Sequence, residues 1–161
     1  MIGVILLAIC VTISAVSADD GWSFNFSSSE SSNSDGGSVT VENNKVNIQD
    51  IEFTIPDGYK EDESERIVGK EADQKSFPGA KISTVEFDKD KDSIIIKVVY
   101  ADNEIKDSDY TPDDGAVEKQ ICNQKGYVHE HADGVSIDFV KDGKIVEVFA
   151  PDEQVLASLL K

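Results

Sequence analysis

Alternation of apolar and polar residues dominates the chain from Val39 onward. Val39 and Val41, then Val46 and Ile48, alternate with polar neighbours on either side of Asn43-Asn44, a pair suited to a hairpin turn. Ile51, Phe53 and Ile55 alternate with Glu52 and Thr54 and run into Pro56-Asp57-Gly58, which predicts a half-buried strand closed by a turn. Residues 59–78 are acidic and irregular, with Ile67-Val68 as their apolar pair, and read as a long connection holding one short strand. Ile82, Val85 and Phe87 mark a further strand. After the polar run Asp88–Asp92, residues Ser93–Tyr100 are apolar on both faces apart from Lys97. Such a strand requires cover on both sides of its sheet.

Thr111-Pro112-Asp113-Asp114 has the form of a helix start, with a Thr cap, Pro in the first turn and acids at the positive end of the dipole. Val117, Ile121 and Gln124 share a helical face, joined by Ala116 and Gln120, and Gly126 is a stop signal. The pattern predicts a helix here, with Cys122 on it packing as a small hydrophobe. Tyr127 to His131 then extends, Asp133-Gly134 turns, and Val135, Ile137 and Phe139 alternate with Ser136 and Asp138. Asp142-Gly143 makes a tight hairpin from which Ile145–Phe149 returns. Pro151-Asp152-Glu153 opens a terminal helix with the apolar stripe Val155, Leu156, Leu159 and Leu160. Together these elements predict one α+β domain over residues 39–161, an antiparallel sheet flanked by two helices.

The N-terminus follows other rules. Residues 2–18, IGVILLAICVTISAVSA, form an apolar run that ends in small residues, a secretory signal pattern with cleavage after Ala18. No Lys or Arg precedes the run. The alternative is an uncleaved anchor, although roughly 15–17 apolar residues fall at or below the ~17–25 of a spanning helix. Residues 19–38, rich in Ser, Gly, Asn and Asp, read as a disordered tether. Trp22, Phe24 and Phe26 alternate within it, and Asn25-Phe26-Ser27 is a candidate glycosylation sequon. Cleavage removes Cys10 and leaves Cys122 with no intramolecular disulfide partner.

Charge narrows the function classes. Against 15 Lys and Arg stand 32 Asp and Glu, a net −17, and residues 1–18 carry no charged side chain. No basic stripe is available to neutralise phosphates, which argues against nucleic acid. Two cysteines exclude a disulfide-dense scaffold.

Candidate chemistry is sparse. Asp88-Lys89-Asp90-Lys91-Asp92-Ser93 begins like a calcium loop. It has Ser93 where glycine is needed and Val99 where the closing acid belongs, so it reads as a polar hairpin tip. His129-Glu130-His131 places two imidazoles on one face of a strand, where both can reach one metal, with Asp133 the nearest third ligand. Either histidine is a possible general base, yet no serine or cysteine with a nucleophile signature accompanies them, and Cys122 has no activating neighbour. Acidic groups such as Glu61-Asp62-Glu63, Asp107 with Asp109, and Asp113-Asp114 are expected by chance at this composition.

The segments Phe53-Thr54-Ile55-Pro56-Asp57-Gly58-Tyr59 and Phe139-Val140-Lys141-Asp142-Gly143-Lys144-Ile145-Val146, with the earlier Tyr127, resemble small secreted proteins of methanogenic archaea that join a Ser-rich tether to one domain. The layout over residues 46–161 is also loosely similar to the PsbP-like domain, an antiparallel sheet flanked by helices. The resemblance carries no catalytic residue across and implies a binding or accessory role outside the cell. The sequence therefore points to a non-enzymatic domain, secreted or held at the cell surface, that binds a protein or envelope component. The alternative is an extracytoplasmic divalent-metal-binding protein using His129 and His131. No cofactor is expected, and membrane contact arises only through an uncleaved N-terminal segment.

Overall fold

The structure is a computed structural model that describes residues 38–72 and 77–161. The signal segment with its cleavage point at Ala18, the stretch from residue 19 to 37, and Asn25 lie outside the described residues.

The first three strands form a sheet of their own. β1 (Val39–Glu42), β2 (Lys45–Ile48) and β3 (Ile51–Thr54) pair antiparallel in that order. Both connections are two-residue turns whose central residues are left-handed: Asn43 and Asn44 at φ 49° and 62°, Gln49 and Asp50 at 53° and 67°. That backbone twist matches the strands it joins.

The larger sheet holds β4 (Lys60–Glu61), β5 (Ile67–Glu71), β6 (Lys81–Lys89), β7 (Asp92–Tyr100), β8 (Val117–Ile121), β9 (Gln124–Glu130), β10 (Val135–Lys141) and β11 (Lys144–Ala150). Its order is β4-β6-β7-β11-β10-β9-β8, with β5 also beside β6, and every pair is antiparallel. The Asp88–Ser93 segment closes the β6–β7 hairpin, with the Ser93 hydroxyl donating to Asp88 Oδ1 at 2.7 Å. The chain ends in α1 (Glu153–Leu159), capped by the Asp152 carboxylate, which accepts from Val155 N–H at 2.8 Å.

This architecture corrects the α+β expectation. The described residues are 52% strand and 11% helical, with one α-helix in place of two flanking ones. The helix expected from Thr111 to Gly126 is instead a loop followed by the β8–β9 hairpin, turned at Cys122-Asn123 with Cys122 at φ 53°. Cys122 is exposed, not packed. The apolar stripe of that imagined helix is thin. Of its anchors Ile121 is buried, whereas Val117 is 63% exposed. A short helix with so little to bury is marginal, and pairing with β9 satisfies the same backbone groups in an existing sheet.

The two faces of the large sheet carry different loads. Ile94, Ile96 and Val98 of β7, Val85 and Phe87 of β6, Ile137 and Phe139 of β10, and Val146 and Val148 of β11 point to one face. There they meet Val46, Ile48, Ile51 and Phe53 of the small sheet and Leu156 and Leu159 of α1 in the main core. On the opposite face Val99 and Ile145 join Ala80 and Ile105 in a second, smaller core beneath residues 101–116, which cross the sheet without secondary structure beyond a 3₁₀ turn at Asp107–Asp109. The two-sided apolar character of β7 is thus used on both faces.

Candidate functional site

Strand register places one row of polar side chains across the second face. Asp138 lies opposite Tyr127 on β9 and Glu147 on β11, and Glu147 lies opposite Lys97 on β7. Lys97 Nζ donates to Glu147 Oε2 at 2.5 Å, with the lysine side chain only 11% exposed. An ion pair this sheltered is held by its partner, because either charge alone is costly to bury.

Beside it a denser cluster forms where residues 101–116 come down onto β9 and β10. The Tyr110 hydroxyl donates to Asp138 Oδ2 at 2.9 Å, and the Tyr110 ring leans on Tyr127 with centroids 5.8 Å apart. His129 Nε2 faces the same carboxylate oxygen at 3.5 Å, with both side chains about one-seventh exposed, at 15% and 14%. The other Asp138 oxygen, Oδ1, is buried without a hydrogen-bond partner. The Asp138 carboxylate raises the His129 pKa against the opposing effect of burial, and Asp113 and Glu147 add to the rise. Burial raises the Asp113 pKa, and the charge of His129 works against that. Tyr110 is pushed well above its ordinary range by burial and by Asp138, so it stays a neutral donor. Asp113, which the sequence groups with many chance acids, is thus a part-buried carboxylate with a raised pKa, as is Glu86 on β6.

His131 has different company. Its ring is stacked beside His129 with centroids 6.3 Å apart, but Nε2 is 2.9 Å from the Ser136 hydroxyl and the ring leans on Phe149. The two imidazoles do share a face, as strand periodicity predicts, yet they do not converge on a common point. Asp133 is exposed in the turn after β9, where it lines a shallow depression with His131, Pro151 and Asp152, away from the Asp138 side of His129. Among the described residues no three His, Cys, Asp or Glu side chains assemble as a metal site requires. Nor does the cluster form a nucleophilic triad, in which one imidazole bridges hydroxyl and carboxylate. Here Ser136 is on His131 and Asp138 is on His129.

Sequence reasoning missed Asp138, Glu147, Lys97, Tyr110 and Asp113 as a group. A signal existed for the first two. The Asp142-Gly143 hairpin, with Lys141 opposite Lys144, places Asp138 opposite Glu147 by counting along both strands. Tyr110 and Asp113 give no such signal, because the pattern around them predicts the approach and first turn of a helix.

No helix among the described residues is long and apolar enough to cross a membrane. Comparison with protein-family models, with curated proteins and with solved structures finds no match.

Proposed function

We propose that this chain is an extracytoplasmic, non-enzymatic binding domain, secreted or tethered at the cell surface, that grips an extended basic segment of a protein partner along β8. The observation that carries this reading is the edge of the large sheet. Among the described residues β8 pairs with β9 alone, and its residues Val117–Gln120 are all exposed. The two-residue turn makes Ile121 and Gln124 a hydrogen-bonded pair. Alternation along an antiparallel ladder then turns Lys119 and Val117 toward β9, and Glu118 and Gln120 toward the open edge. An open row of N–H and C=O groups is a template for strand addition.

Charge selects the partner. The net −17 repels a second copy of the chain and favours a cationic segment. The lysines beside the edge are already matched, Lys119 to Glu153 and Lys125 to Glu118, each at 2.5 Å. Exposed Asp107, Asp109 and Asp114 lie in the segment leading to β8. The signal pattern and the implied accessory role support an extracytoplasmic setting, and the splitting of Ser136 and Asp138 between two imidazoles supports a role without catalysis.

The test uses a heptapeptide of alternating valine and lysine, with its valine–glutamate counterpart, followed by amide shifts in NMR. The lysine peptide is expected to move the amides of residues 117–121 in a salt-sensitive way, and the glutamate peptide to move none. Gln120→Pro, which removes an outward N–H and leaves the β9 ladder intact, is expected to abolish the effect while the domain stays folded. Shifts centred elsewhere, or binding unaffected by Gln120→Pro, overturn the proposal.

A further inference from the structure

We propose that His129 is a proton-operated catch that fastens residues 110–116 to the large sheet. The inference stands apart from what binds β8. The first half of residues 101–116 is anchored without titratable groups: Ile105 is buried in the second core, and its N–H donates to Gly143 O at 2.9 Å. Their second half is held by Tyr110, through its hydroxyl on Asp138 and its ring against Tyr127, and the same stretch carries the part-buried Asp113. The polar attachment of this half thus rests on the carboxylate that His129 faces.

The charges facing His129 come from every element around it. Asp138 is on β10, Glu147 on β11 with Lys97 of β7 paired to it, and Asp113 is in the covering segment. His131 stacks beside the ring, Tyr110 contributes a neutral hydroxyl, and the Tyr127 ring packs on Tyr110. Three carboxylates against one lysine leave two negative charges in excess. Protonation of His129 reduces that excess to one and sets the cation against the Asp138 carboxylate that accepts from Tyr110. Loss of the proton leaves the Asp138, Glu147 and Asp113 charges balanced by Lys97 alone in a sheltered setting, where repulsion is weakly screened.

The direction in pH follows. The folded protein holds the His129 proton more tightly than an unfolded chain does. The catch is therefore fully engaged below the ordinary imidazole range and is released as pH rises through the higher value of the folded state. Asp113, also raised, acts in the same sense at lower pH, since its ionisation adds a carboxylate to a crowded site.

Hydrogen exchange of the full chain tests this. Amide protection at residues 110–116, corrected for intrinsic exchange, is expected to fall roughly threefold or more as pH rises from about 5.5 to about 8.5, the range over which histidine titrates and contacting charges couple. The midpoint should match the NMR titration of the His129 ring, and amides 125–128 of β9 serve as the reference. His129→Gln is expected to abolish the step, and His131→Gln to retain it. Should His129→Gln fail to fold, Asp138→Asn is expected to lower the His129 midpoint and carry the step with it. A wild-type protein without the step, a step that survives in His129→Gln, or one that does not follow His129 in Asp138→Asn overturns the proposal.

Discussion

Gly134 shows how one residue can be fixed by what passes over it. A Cβ built there would collide with the Ala150 carbonyl oxygen and lie 2.5 Å from the Phe149 ring. The first of these is backbone of the paired strand and cannot swing aside. Gly134→Ala is therefore expected to lower stability by roughly 1–3 kcal/mol, the usual cost of overpacking, read as a shift of the urea midpoint at unchanged slope. Asp113 is the opposite case, a residue whose native group works against the fold. Its raised pKa means that ionisation costs stability as pH climbs past the ordinary carboxylate range through the folded value. Asp113→Asn is expected to raise the thermal midpoint at neutral pH and to leave it nearly unchanged at a pH low enough to protonate the acid. A midpoint that falls at neutral pH would assign Asp113 a net attractive role with His129.

Elements were legible where a single local pattern decided them. Strand alternation from Val135 to Phe139 and the Asp142-Gly143 turn are realised as β10 and β11, and Asp152 caps the terminal helix that buries Leu156 and Leu159. The segment after Thr111 failed for a definable reason. Thr, Pro and paired Asp describe a helix start by local chemistry alone, but they serve equally well in a loop. The decision passed to the residues beyond, and Gln120, Lys125 and Gly126 suit either a helix flank or an exposed edge hairpin. Cys122 discriminates the two. In a helix, glycine at this position costs about 1 kcal/mol relative to a good helix former. In the hairpin, where Cys122 holds φ 53°, Cys122→Gly relieves a left-handed strain and is expected to stabilise by about 0.5–1 kcal/mol. The small contact from its thiol to Ala157 O at 3.3 Å subtracts little from that gain. Thermal melts of the two proteins side by side give the sign.

At the scale of the whole molecule the acidic charge acts as a field. A net −17 on 161 residues stresses the compact state by self-repulsion, so salt is expected to raise the thermal midpoint by several degrees between about 0.02 M and about 0.5 M NaCl. A midpoint that falls with salt would mean that attractive pairs such as Lys45–Glu52 and Lys119–Glu153 outweigh the repulsion. What the chain determined by itself was local: turn chemistry at Asn43-Asn44 and Asp142-Gly143, period-two burial in most strands, the cap at Asp152, and the sign of the surface potential. Each depends on residues a few positions apart, or on a simple count. Only the tertiary structure decided that β8 is a strand, that two sheets and one helix share the main core, and that Tyr110 reaches the Asp138 carboxylate that His129 faces. Those outcomes depend on competition between distant partners. A weakly amphipathic segment takes whichever backbone pairing the rest of the fold offers, and a carboxylate becomes perturbed only when a segment far along the chain closes over it.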